Sequence, residues 1–145
     1  MVAETWLNQK KEVELIRKLG MNVVTSNRKE REGGGVLIVL NKEIAIEREL
    51  KVSDSATSML AIYSPELNLN LVCIYIPPDN FDFEFVMKGF DDISTFIKQN
   101  DPEAKTLIYG DYNLTCLTFK TDSNNRLEPT IKGRPEMIMM TMMKK

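Results

Sequence analysis

Gly110-Asp-Tyr-Asn113 places a carboxylate and an amide one residue apart, directly after the apolar, β-prone run 106–109. A carboxylate can take a proton from water, and an amide can hold a phosphate oxygen, so the pair suits phosphate chemistry. In α/β proteins the carboxyl ends of buried strands are where loops aim side chains into a crevice. Gly110 would end the strand with a sharp turn, and the i, i+2 spacing would point Asp111 and Asn113 toward one space. Gly, Asp and Asn are also favoured in solvated turns for backbone reasons alone. Taken by itself, the motif fits that plainer reading better.

Three more stretches carry candidates. Ile74-Tyr-Ile-Pro-Pro78 closes an apolar run with Tyr75 two residues before a Pro-Pro break; such a tyrosine is more often a core residue than a catalytic phenol. Glu4-Thr-Trp-Leu7 sets a carboxylate before a helical segment, where a lone Glu is ordinarily a surface residue. Arg28 and Arg31 lie in a charged loop running into Gly33-Gly-Gly35. That glycine run leads into a strand and lacks a Gly-Lys-Ser/Thr ending, so it is not a phosphate-binding loop.

Composition narrows the chemistry. The 145 residues contain no histidine, which removes His-based metal sites, Ser-His and Cys-His pairs and a histidine base. A net charge of −2 argues against gripping nucleic acid by bulk electrostatics, though not against meeting DNA through a metal and a few local cations. No apolar run is long enough to span a membrane, and the first residues lack the pattern of a secretory signal. Cys73 and Cys116 lack metal-ligand spacing and read as reduced thiols, with no disulfide-linked partner and a nuclear or cytoplasmic setting.

The elements that must position these residues follow from periodicity. A helix is expected over 8–19, with Val13, Ile16 and Leu19 as its apolar stripe and Gly20 as its stop. Strands are expected over 21–25 and 36–40, the latter buried on both faces. Residues 43–50 alternate as a hairpin partner across Asn41-Lys42. Strands 58–63 and 69–76 flank a Pro65/Asn68 turn. Asp79 and Asn80 would cap a helix over 83–99, whose apolar positions include Phe83, Val86, Phe90 and Ile93. A strand over 105–109 then delivers Asp111. Residues 114–133 look irregular, and Pro135 opens a Met-rich helical segment. The expectation is one α/β (α+β) layered domain over 1–145, with mixed and partly antiparallel sheets.

In this linear order, Glu-Thr-Trp-Leu, Arg-x-Gly-Gly-Gly-Val, Tyr-x-Pro-Pro and Gly-Asp-Tyr-Asn make the chain resemble the endonuclease/exonuclease/phosphatase superfamily, the fold of DNase I and apurinic endonucleases. The form of the motifs is most similar to the endonuclease domain of non-LTR (LINE-type) retrotransposons, over about residues 4–113. The resemblance implies a DNase I-like sandwich of largely antiparallel sheets with flanking helices. It implies metal-dependent phosphodiester hydrolysis of DNA. Glu4 would be a ligand of Mg²⁺, with Mn²⁺ as a substitute. Tyr75 would set its phenol near the scissile phosphate, Asp111 would align or deprotonate the attacking water, and Asn113 would bind a phosphate oxygen. Arg28 or Arg31 would touch the DNA backbone.

The chain departs from the pattern at both ends. Family members carry a strand with a metal-binding Asn before the Glu, and a Ser/Thr-Asp-His segment near the end. Only three residues precede Glu4, and no histidine occurs. The expectation is therefore an internal fragment, incomplete at both ends, inactive alone, with sheet edges and apolar faces left uncovered. Two alternatives stand beside it: a non-catalytic remnant that only binds DNA or protein, and a small-phosphoester phosphatase of the same superfamily.

Overall fold

The computed structural model describes residues 1–5, 11–28, 34–79, 81–113, 117–121 and 127–131, with 4, 11, 12, 117–121 and 127–131 described as backbone only. The chain forms two compact units, Met1–Tyr112 and Asn113–Lys145.

Two sheets lie at the centre of the first unit. One has the order β1 (Val2–Thr5), β3 (Gly35–Asn41), β2 (Met21–Ser26), all antiparallel neighbours. The other has the order β4 (Arg48–Ser53), β5 (Ser58–Ser64), β6 (Leu69–Tyr75), β7 (Lys105–Asp111). Its first three strands are antiparallel and β7 runs parallel to β6. A parallel neighbour requires a crossover, and helix α2 (Phe83–Lys98) supplies it.

Side-chain alternation then builds four layers. Val24, Val36 and Ile38 of the first sheet meet Leu60, Ile62 and Leu71 of the second. On the outer face of the second sheet, Met59, Val72 and Ile74 pack beneath Val86, Ile93 and Phe96 of α2. On the outer face of the first, Val23 and Leu37 receive Val13 of helix α1 (Lys11–Lys18). Each fully buried aliphatic side chain in these layers contributes about 1.5–3 kcal/mol, so the middle of the sandwich holds the unit together.

The α+β class, the mixed sheets and the buried β3 accord with the sequence. Several boundaries do not. Residues 43–47 form no strand; β4 begins at Arg48 and pairs with β5, not β3. Asp82, not Asp79 or Asn80, caps α2, its carboxylate accepting from the Phe85 amide at 3.1 Å. Leu19 lies beyond the end of α1 and is 72% exposed, because its amide already bonds in the closing turn and Gly20 follows at φ 76°. In the second unit, residues expected to be irregular form an antiparallel hairpin of β8 (Leu117–Thr121) and β9 (Leu127–Ile131). The helix expected after Pro135 lies outside the described residues.

Candidate functional site

The register of the second sheet decides which candidates meet. Ser58 pairs with Tyr75, and Tyr75 pairs with Asp111, so the three form one row across β5, β6 and β7. Neighbouring strands lie about 4.8 Å apart, which makes Tyr75 and Asp111 direct neighbours at the carboxyl ends of two parallel strands. The backbone ties those ends together: the Ile76 amide donates to the Asp111 carbonyl at 2.9 Å. Leu71, Cys73 and Tyr75 face the space between the sheets, and their partners Leu107, Tyr109 and Asp111 share that face.

Gly110 is where sequence reasoning needs correcting. It does not end the strand: β7 runs through Gly110 to Asp111, and Gly110 has no positive φ. Its role is close approach. A Cβ at Gly110 would lie 2.3 Å from the Ile74 carbonyl oxygen, a separation that side-chain carbons do not tolerate. Glycine thus lets β7 press against β6 where Asp111 meets Tyr75. The strand is also not buried. Among the described residues it is the outer strand of its sheet, and Leu107, Ile108 and Tyr109 are each about half exposed.

Arg28 follows β2 and places its guanidinium 5.5 Å from the centre of the Tyr75 ring, within cation–π range. Gly34 has φ 72°, which favours glycine, and a Cβ there would fall 2.3 Å from Arg28 Cζ, so the guanidinium would have to move aside. This gives a physical reason for part of the glycine run before β3: it leaves room for the arginine that covers the tyrosine. Arg31 and the rest of that loop lie outside the described residues.

Strand β1 brings the N-terminal candidate to the same region. The Cys73 thiol donates to the Val2 carbonyl at 3.4 Å, and β1 lies against both β6 and β7. Its far end, Thr5, pairs with Gly35, next to the Gly34 that Arg28 covers. The β1–β3 register shifts between Ala3 and Thr5, which marks Glu4 as the bulged position. Bulges re-aim side chains and are frequent beside functional sites. The Glu4 side chain lies outside the described atoms.

Asn113 has φ 42° and is the first residue of the second unit. The i, i+2 argument that would aim it alongside Asp111 assumes continued strand backbone. The left-handed turn at Asn113 breaks that assumption.

Polar residues that the sequence did not single out lie at this end, as Ser64 and Asn70 do at the opposite end of the sheet. The hydroxyls of Thr5, Ser26, Thr57 and Ser58 are buried and have no hydrogen-bond partner among the described residues. Ser58 stands in the same row as Tyr75 and Asp111, and Ser26 follows Val24 on the between-sheet face of β2. Buried hydroxyls normally find partners. Along the between-sheet face of β5 the Leu60 and Ile62 core ends in a buried serine at each end, Ser58 beside Tyr75 and Asp111 and Ser64 at the other. The faint sequence signal was a Ser- and Thr-rich approach, Asp54-Ser-Ala-Thr-Ser58, to a strand that is otherwise apolar. Asp54 shapes it by accepting from the Ala56 and Thr57 amides at 2.7 and 2.5 Å.

Among the described residues, two titrating groups with clear shifts lie near this region. Burial pushes the Cys73 thiol above its ordinary 9.0, and burial likewise raises the Tyr112 phenol. A raised thiol stays protonated and unreactive, so Cys73 is a packing residue. Open clefts occur elsewhere. One of about 530 Å³ lies between the start of β2 and Lys42, at the opposite end of β2 from Arg28, and one of about 270 Å³ between β4 and α2. Among the described residues no three His, Cys, Asp or Glu side chains come together as a metal cluster. No described helix is long and apolar enough to cross a membrane. No family model matches the chain, and no curated protein matches it at a significant level.

Proposed function

We propose that this chain is a phosphodiesterase domain of the endonuclease/exonuclease/phosphatase type, acting on DNA with Mg²⁺. The observation that carries the reading is the register pairing of Tyr75 with Asp111 at the carboxyl ends of β6 and β7, under the Arg28 guanidinium. Residues remote in sequence and suited to one chemistry are neighbours in space. Coincidental solvated turns would have no reason to converge.

In this reading Asp111 aligns the attacking water and takes its proton. Tyr75 directs its phenol at the phosphate, and the Arg28 cation against its ring favours charge that builds there. Asn113 is assigned to a phosphate oxygen from the motif alone. A hard cation is assigned here from the motif that holds Glu4, with one structural observation beside it. Glu4 would hold it, and the neighbouring Thr5 hydroxyl is a buried oxygen with no partner among the described residues. Mg²⁺ favours few carboxylates with waters and phosphate oxygens, and when bound it would offset the negative charge developing on the phosphate.

The test is Mg²⁺-dependent nicking of supercoiled plasmid by purified protein. Nicking lost in Asp111→Asn supports the assignment, and nicking indifferent to that change overturns it. Absence of nicking together with DNA binding that ignores Mg²⁺ would instead favour the non-catalytic remnant. Hydrolysis of a small phosphoester in place of DNA would point to the phosphatase reading.

A further inference from the structure

β7 is a long sheet edge without the usual protection. Among the described residues no strand pairs with it on the side away from β6. The Lys105 amide donates to the Asn68 carbonyl at 3.1 Å, and the Asp111 carbonyl accepts from Ile76 at 2.9 Å. Backbone groups alternate sides along a strand, so Lys105, Leu107, Tyr109 and Asp111 turn theirs toward β6. Thr106, Ile108 and Gly110 turn theirs toward the open side. Natural edges are guarded by internal charges, proline or bulges. Here the stretch Thr106-Leu-Ile-Tyr-Gly110 has none, and its three middle side chains are 50%, 53% and 49% exposed.

The sequence of this edge is also self-complementary. Ile108 is its midpoint, with Lys105 three residues before and Asp111 three residues after. We propose that β7 pairs antiparallel with β7 of a second copy of this chain, about a two-fold axis at Ile108. Ile108 then exchanges both backbone bonds with its own copy, and Thr106 does so with Gly110 of the second copy. On the between-sheet side Leu107 meets Tyr109 of the second copy, and Lys105 meets Asp111 of the second copy. These are non-hydrogen-bonded pairs, the geometry in which side chains approach most closely. Sliding by one residue would turn the outward amides away from each other. Sliding by two would separate the opposite charges. The outward backbone and the charges therefore select the same register. The pairing is isologous and closes at the dimer.

The proposal shares Asp111 with the nuclease reading, but its test reads mass and so can fail separately from that reading. Sedimentation equilibrium of the full chain over a wide concentration range is expected to give a monomer–dimer equilibrium. Lys105→Asp should raise the dissociation constant about tenfold or more by setting like charges opposite one another. The double variant Lys105→Asp/Asp111→Lys should restore it, which a folding defect would not. Ile108→Pro should abolish the dimer while leaving the circular dichroism spectrum intact, because the amide it removes faces away from β6. A monomer at every concentration, a dimer unaffected by Lys105→Asp and Ile108→Pro, or open-ended aggregates would each overturn the pairing.

Discussion

Strands β5 and β7 belong to one sheet, have seven residues each, and carry similar apolar middles, Met-Leu-Ala-Ile-Tyr and Leu-Ile-Tyr. Every residue of β5 is buried, whereas β7 is exposed along its length until Gly110. The cause is position. β5 has strands on both sides, the first sheet over Leu60 and Ile62, and α2 over Met59 and Ala61. Among the described residues β7 has one neighbour, β6. It gains cover only at its carboxyl end, where glycine draws it against β6 and Asp111 meets Tyr75. Composition thus makes a strand, while neighbours decide whether it serves as core or as surface. The candidate site lies where the exposed strand turns into the covered one.

Variants in the two strands sharpen that contrast. Ile62→Ala in β5 should have the largest effect, about 2–5 kcal/mol of lost stability in urea unfolding, because it empties a fully buried volume between two sheets. A loss below about 1 kcal/mol would mean that the sheets do not pack as described. Gly110→Ala should cost about 1–3 kcal/mol, since its Cβ meets backbone and not a movable side chain. It should also displace Asp111, so any nicking activity should fall further than stability does. An unchanged melting curve would show that β7 is free to move away from β6.

Cys73 and Tyr109 are register partners on the interior and edge strands. Because burial raises the Cys73 thiol, the stability it contributes is fully present below its ordinary value of 9.0 and is lost as pH rises through the higher folded value. In a Cys116→Ser background, a thiol reagent at pH 8 should label Cys73 only as fast as the protein opens. Labelling at the rate of a free thiol would place Cys73 at the surface. The smallest effect belongs to Leu107→Ser on β7, expected to lie within about 0.5 kcal/mol of wild type for isolated monomer. A loss as large as that of Ile62→Ala would show that β7 is covered in solution.

Much of the scaffold was legible. Continuous apolar runs gave β3, β5 and β6. The Pro65/Asn68 turn was placed, and Asn68 indeed takes a left-handed φ of 45°. The apolar spacing of α2 located its buried Val86 and Ile93, though Phe96 was missed and Phe83 lies outside the packed cluster. The misplaced N-cap reflects two acidic residues competing within one turn, a choice made by local hydrogen bonding. The strand expected over 43–50 failed because alternation signals a half-buried strand without saying which neighbour it joins.

The amino-acid sequence by itself determined the local elements, the absence of histidine chemistry, and the order of the motifs holding Glu4, Arg28, Tyr75 and Asp111. These follow from side-chain type and spacing, which act over a few residues. Only the tertiary structure decided that Tyr75 and Asp111 share a row with Ser58, that Arg28 lies over the Tyr75 ring, and that β7 is an edge. Register and sheet order are set by contacts between residues dozens of positions apart, and no short stretch of sequence encodes which strand will stand beside which.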